Sequence, residues 1–194
     1  MTKEKQKAKD VFYVFTSING VLFDSNHVNS FHGPFAALIE DPILNKNSVS
    51  ALLYLLDTLE EKYDTKLVIT SKRRRDMPAC IEYLKHNGFC YNKPIFATKY
   101  IDGARGKKII SHMEEDGKDP IRKKTISSLI NSILNPNNKK FKNYVVIDSS
   151  YFKLFGQIPS SHIIKTDYKH QSLTIDQVQS YLESIGITKE KQPE

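Results

Sequence analysis

The sequence contains no tryptophan, only two cysteines and no long apolar run. Cys80 and Cys90 lack the spacing of a zinc site and fit a protein with reduced thiols. The longest apolar stretch, residues 51–56, falls far short of the roughly 20 residues that span a bilayer. Residues 1–7 are polar and lack the apolar core of a signal peptide. We therefore expect a cytoplasmic protein that does not enter a membrane.

Glycine and proline are not enriched, with eight of each in 194 residues, and the chain has neither an internal repeat nor a separate linker. Ten tyrosines, ten phenylalanines and a hydrophobic fraction of 39% suffice to bury one core. We expect a single domain at residues 10–187, between a disordered basic tail at 1–9 and a second tail at 188–194.

Acidic residues are the minority, since 29 lysines and arginines face 22 aspartates and glutamates. The formal net charge of +7 attracts polyanions at low salt. Runs of basic residues form either solvated surface or phosphate-binding patches, and the sequence leaves both interpretations open. The runs lie at residues 72–75, 105–108, 122–124 and 139–142.

Short β-branched and aromatic runs alternate with amphipathic segments along the chain. The runs predict strands at residues 11–18, 66–70, 94–97, 143–148 and 162–165. The amphipathic segments predict helices at residues 45–63, 78–86, 106–115, 121–134 and 174–185. Strands separated by helices imply parallel crossovers. We therefore predict an α/β fold, with a doubly wound, mostly parallel sheet that has helices on both faces.

Ligands of doubly wound sheets bind beyond the carboxyl ends of the strands. Polar residues follow several of the predicted strands directly, and a basic run begins at Arg105. We therefore expect the functional site among these strand ends. The segments to inspect are residues 17–20, 70–74, 98–105 and 148–151.

Four segments at these strand ends resemble, in order, the motifs of the haloacid dehalogenase-like superfamily of phosphatases. The first motif of that superfamily is Asp-x-Asp-Gly after an apolar strand, and this chain has Ser17 and Asn19 in place of both aspartates. The last motif is a strand ending in two acids, and here Ser149 follows Asp148. The matching segments are residues 15–24, 67–71, 105–109 and 144–149.

Further segments are similar to the phosphatase-like domain that accompanies Swiss Army Knife RNA repair proteins. The whole resemblance covers about residues 12–186. It implies a minimal cap around residues 20–45 and a helical insertion around 117–140. The segments that carry this closer similarity are residues 70–74, 143–148, 165–167 and 172–174.

The replaced residues are the ones that perform the chemistry in the superfamily. There, the first aspartate attacks phosphorus and the second transfers a proton. A serine at position 17 needs a base to become a nucleophile, and the amide of Asn19 has no proton to exchange near neutral pH. In the superfamily, Mg²⁺ is held by the residues that correspond to positions 17 and 148 of this chain and by the backbone carbonyl that corresponds to position 19. With one carboxylate left, Mg²⁺ would bind weakly, so no cofactor is certain.

The groups that hold phosphate in the superfamily are retained more fully. The resemblance assigns this role to two hydroxyls and to basic residues at the second strand end and the start of a helix. We also leave open whether Asp24 replaces a lost catalytic or metal-binding acid or stabilises the cap. The phosphate-binding candidates are Thr70, Ser71, Arg74, Arg105, Lys107 and Lys108.

The leading hypothesis is a catalytically degenerate phosphatase-like protein that acts by binding. Its partner would be a phosphorylated small molecule, a nucleic acid or another protein. One alternative is an active Mg²⁺-dependent phosphoester hydrolase with an unconventional or mutated site. A second alternative is a nucleic-acid-binding module that uses the basic face, whose affinity would fall steeply with salt.

Overall fold

The computed structural model describes residues 9–32, 41–99, 105–116, 142–150, 154 and 156–187. The predicted insertion, most of both predicted tails and part of the predicted cap lie outside this part of the chain. The elements are β1 (Val11–Thr16), α1 (Ser25–His32), α2 (Lys46–Glu60), β2 (Asp64–Ile69), α3 (Met77–His86), β3 (Ile95–Ala97), α4 (Arg105–Asp116), β4 (Tyr144–Asp148), β5 (Ile163–Lys165) and α5 (Ile175–Ser184), with short 3₁₀ helices at Lys72–Arg75 and Ser160–His162.

The described strands form one five-stranded sheet in the order β3-β2-β1-β4-β5, and every neighbouring pair is parallel. The predicted parallel α/β sheet is therefore confirmed. β1 pairs with β2 on one side and with β4 on the other, so the strand order reverses at β1. Rossmann-like sheets have this order and bind ligands at such a reversal, beyond the carboxyl ends of the strands.

Alternating side chains of the strands pack into two apolar clusters, since successive residues of a strand point to opposite faces. Val14 and Leu67 belong to the larger cluster, which includes buried residues of α2, α3 and α5. Phe15 and Val68, the next residue of each strand, belong to the second cluster with Ile109 of α4. Buried residues of α2, α3 and α5 thus share one cluster with one set of strand side chains, and those of α4 share the other cluster with the alternate set.

One helix was not predicted from the sequence. α1 begins directly after Asp24, whose side chain accepts a hydrogen bond from the backbone N–H of His27 at 2.9 Å. This is the geometry of a helix N-cap, which typically stabilises a helix by about 1 kcal/mol. The helix follows β1 and occupies part of the segment in which a cap was expected.

None of the helices in the described ranges is long and apolar enough to cross a membrane.

Candidate functional site

The parallel hydrogen-bond ladder continues one residue beyond the ends of the central strands. The backbone N–H of Ser17 donates to the carbonyl oxygen of Ile147 at 3.2 Å, and that of Thr70 donates to Thr16 at 2.9 Å. This ladder fixes Ser17 and Thr70 at the same edge of the sheet as Asp148, the last residue of β4. The residues expected at the strand ends are therefore neighbours in space.

A cavity of about 480 Å³ lies at this edge. Three basic residues and no acidic residue are among its described lining residues. The lining therefore favours an anion. It comprises Ser17, Asn19, Ser71, Lys72, Arg73, Arg105, Ser149, Ser150 and Tyr168.

Asp148 is fully buried and is held by two groups of the protein. Its Oδ1 atom accepts a hydrogen bond from the backbone N–H of Ser150 at 2.7 Å. Its Oδ2 atom forms an ion pair with the guanidinium of Arg105, the first residue of α4. The Arg105 side chain is 25% exposed and lines the pocket. The buried carboxylate thus fixes the position of one pocket cation.

The backbone carbonyl of Asn19 is also engaged by hydroxyl groups. The hydroxyls of Ser17 and Ser149 donate to it at 3.4 Å and 3.5 Å. Gly20, which follows, has a φ of +76°, a conformation that side chains disfavour. A Cβ atom there would lie 2.6 Å from Cβ of Ser149 and 3.2 Å from Cβ of Tyr168. Glycine therefore allows the β1 turn to approach the residues after β4 and β5 closely.

The basic run Lys72–Arg75 forms a 3₁₀ turn whose side chains have different partners. Arg73 forms an ion pair with Asp41 and lies 4.3 Å from the centre of the Tyr83 ring. Arg74 donates to the carbonyl oxygens of Thr70 and Ser71, both at 2.6 Å, and so stabilises the turn itself. Lys72 lines the pocket. The run is therefore not one continuous patch of solvated cations.

Two hydroxyls beside the pocket lack a hydrogen-bond partner among the described residues. They belong to Thr70 and Ser71, which are 3% and 5% exposed. A buried hydroxyl without a partner costs about 1–3 kcal/mol, so such groups are few in folded proteins. Each one calls for an explanation, such as a functional role or a bound water or ion. Ser71 lines the pocket, where a bound anion would accept its hydrogen bond.

The structure brings together some of the predicted site residues and separates others. Ser17, Asn19, Ser71 and Arg105 line the pocket, and Asp148 is bound to Arg105 beneath it. Thr70 is buried next to Ser71. Four predicted phosphate-binding residues are not among the lining residues: Thr70, Arg74, Lys107 and Lys108.

The individual site residues proposed from the sequence did not include five lining residues, although the segments 70–74 and 148–151 contain the first four of them: Lys72, Arg73, Ser149, Ser150 and Tyr168. Lys72 lay within a basic run that was read as a whole, and nothing local distinguished it from its neighbours. Tyr168 follows β5. The expectation that ligands bind beyond the carboxyl ends of the strands, applied to the fifth strand as well, would have included it.

Asp24, whose role the sequence left open, stabilises the fold. Its two carboxylate oxygens accept hydrogen bonds from the backbone N–H groups of His27 at 2.9 Å and Ser172 at 3.0 Å. Burial alone would raise the pKa of Asp24, but these hydrogen bonds, the Ser172 hydroxyl and the nearby His27 outweigh burial and lower it below 3.8. Asp24 is also not among the lining residues of the pocket.

Mg²⁺ does not fit the residues present at this edge. The resemblance implies oxygen ligands from residue 17, the carbonyl of Asn19 and Asp148. Position 17 is a serine, the carbonyl already accepts two hydroxyls, and both oxygens of Asp148 are bound by protein groups. No cluster of three or more potential metal ligands of the His, Cys, Asp and Glu type occurs in the described ranges.

Comparisons with family models, curated proteins and solved structures found no match. The fold is therefore shown by the structure itself. The resemblance to the haloacid dehalogenase-like superfamily rests on the sequence motifs alone and stays a prediction.

Proposed function

We propose that this chain binds a phosphate-bearing ligand in the strand-end pocket and does not hydrolyse it, as a degenerate relative of the haloacid dehalogenase-like phosphatases. The observation that carries this proposal is the composition of the pocket. Three cations and the hydroxyls of four serines line it, and its described lining has no acidic residue. A phosphate monoester has close to two negative charges at neutral pH and several acceptor oxygens, which this lining complements.

Arg105 is the cation best placed to bind the ligand. Its guanidinium has five N–H donors, and the ion pair with Asp148 engages one of its terminal nitrogen atoms. Because Asp148 is buried, the arginine is held before the ligand arrives, which reduces the entropy lost on binding.

The absence of hydrolysis follows from the surroundings of Ser17 and Asn19. The hydroxyl of Ser17 donates to a backbone carbonyl, which cannot act as a general base. Asn19 brings an amide to the position that the superfamily uses for proton transfer, and an amide does not exchange protons near neutral pH.

The nucleic-acid alternative has less support from the pocket. In the basic run, Arg74 donates to backbone carbonyls, whereas Lys72 and Arg73 line the pocket. Among the described residues, Lys72, Arg73 and Arg105 line one cavity, which suits a small anion. The proposal also expects a reducing compartment such as the cytoplasm, in which the free thiols of Cys80 and Cys90 would persist.

Calorimetric titration with methyl phosphate tests the proposal, with two variants that differ only at residue 105. Asp148→Asn removes the buried carboxylate and keeps the arginine, whereas Arg105→Gln/Asp148→Asn removes both charges and leaves no buried unpaired ion. We expect Asp148→Asn to bind at least as tightly as the unaltered chain, because the amide oxygen can still accept from Arg105 while the positive charge of the arginine is no longer neutralised. The double variant should bind about ten- to a hundredfold more weakly, because it lacks a charged hydrogen bond to phosphate.

The matched control is Lys107→Gln, which removes one positive charge from the exposed surface of the same helix. It should change the affinity little at physiological salt. Failure of the unaltered chain to bind methyl phosphate, or an equal loss in Lys107→Gln, would contradict a specific pocket.

A further inference from the structure

Tyr168 is an aromatic side chain at the edge of the phosphate pocket. It lines the cavity, yet 46% of its surface is exposed, which makes it one of the few large apolar side chains of the described residues with such exposure. The other lining residues are polar or basic. The ring therefore adds one apolar, planar surface to a pocket that otherwise selects only for charge.

Hydrogen bonds fix the backbone around Tyr168. Its carbonyl oxygen accepts from the backbone N–H of Ser25 at 2.7 Å. On either side of it, Asp167 and Gln171 exchange two backbone hydrogen bonds of 2.8 Å and 2.9 Å. The carboxylate of Asp167 also accepts from the backbone N–H of Lys169 at 2.8 Å. The tyrosine thus projects from a closed turn, not from an extended loop.

The ring is oriented by a buried neighbour. Phe23 is 2% exposed, and its ring lies 6.5 Å from that of Tyr168 at an angle of 71°. Gly20 lets the base of the tyrosine and Ser149 approach the same turn, because a Cβ atom at position 20 would overlap Ser149 and crowd Tyr168. The base of Tyr168 therefore lies close to the pocket, while much of the side chain stays exposed.

Resting on the proposed function, we infer that the ligand is a small phosphate monoester that carries an aromatic ring. Its phosphate group binds Arg105, and its ring stacks on Tyr168. Aromatic rings stack on tyrosine whatever their substituents, so nucleoside monophosphates and phenolic phosphates share the required chemistry. A cavity of about 480 Å³ has the size of sites for small ligands.

The test compares methyl phosphate, phenyl phosphate, adenosine monophosphate and phosphotyrosine by calorimetry on the full chain with EDTA present. We expect phenyl phosphate to bind about tenfold more tightly than methyl phosphate, because it adds a ring that stacks. Tyr168→Ala should abolish this preference, so that the two affinities measured on the same variant become equal. Tyr168→Phe retains the ring and should preserve the preference.

The four ligands separate the possible outcomes. Tightest binding of adenosine monophosphate or of phosphotyrosine supports the inference and identifies the source of the ring. Equal affinity for methyl and phenyl phosphate, or a preference that survives in Tyr168→Ala, overturns the inference but leaves phosphate binding standing. Failure of all four ligands to bind would overturn the proposed function together with the inference.

Discussion

At the scale of single residues, Arg105 supplies at Asp148 the positive charge that a metal-dependent phosphatase would obtain from its cation. The arginine and a backbone N–H together engage both oxygens of the carboxylate. The affinity for methyl phosphate should therefore be the same in EDTA and in excess Mg²⁺. In addition, the protein should release no inorganic phosphate from p-nitrophenyl phosphate when Mg²⁺ is in excess.

Two results would contradict this metal-independent site. One is an affinity for methyl phosphate that rises about tenfold or more when Mg²⁺ replaces EDTA. The other is phosphate release that is proportional to protein concentration and disappears in Ser71→Ala, since Ser71 lines the pocket. The double variant Ser17→Asp/Asn19→Asp tests whether two aspartates alone are sufficient for turnover. We expect this variant to have no phosphatase activity, because Arg105 still forms its ion pair with Asp148.

At the scale of elements, Asp24 joins the start of α1 to the segment that precedes α5. Its lowered pKa means that the ionised carboxyl stabilises the fold fully above pH 3.8, and this contribution is lost as the pH falls through the folded-state value. Asp24→Asn should lower the free energy of unfolding at pH 7 by about 1–3 kcal/mol, and the difference should shrink in acid. Urea unfolding at pH 7 and pH 3 measures both quantities.

Asp57→Asn is the matched control for this change, because Asp57 is exposed on α2. It should alter the unfolding free energy little at either pH. A difference between the unaltered chain and Asp24→Asn that stays constant from pH 7 to pH 3 would show that the charge of Asp24 does not stabilise the fold.

The strands could be predicted because their signal is local. Residues 145–147 are all β-branched and residues 144–148 are all buried, and the sheet strands begin and end within about two residues of the predicted limits. α1 could not be predicted in this way. Its sequence is rich in Asn, Ser and His, which form helices poorly, and its cap also depends on a contact with the distant Ser172.

The location of the candidate pocket could be predicted from the sequence, but the ion pairs and hydrogen bonds among its residues could not. The strand-end rule located Ser17, Ser71 and Asp148 because it needs only the order of the strands. The ion pair between Arg105 and Asp148 joins residues 43 positions apart. Likewise, only the folded turn shows that Arg74 binds backbone carbonyls and does not line the pocket.

At the scale of the whole molecule, four tyrosines report on the integrity of the core. Burial raises the pKa of Tyr144 to about 12 and also raises the pKa values of Tyr83, Tyr91 and Tyr181 above the usual 10.0. Their neutral forms stabilise the fold fully below pH 10, and this contribution is lost as the pH rises through the folded-state values. We therefore expect these phenols to ionise together with alkaline unfolding.

Phenolate absorbance and circular dichroism, recorded in parallel during an alkaline titration, check this expectation. Tyr144→Phe cannot ionise, so its unfolding transition should move to higher pH. Tyr168→Phe changes an exposed ring and should leave the transition in place. Ionisation of all the tyrosines before any loss of dichroism would show that burial does not couple their titration to the fold.

The hydrogen bonds to Asp148 and Asn19 also bear on how such a protein can change during evolution. An aspartate at position 17 would add a second negative charge beside Asp148 while Arg105 still neutralises only one carboxylate. Such a variant would repel phosphate before it gained the ability to cleave it. If the protein is selected for binding phosphate, selection would therefore oppose the first substitution on a path to hydrolysis.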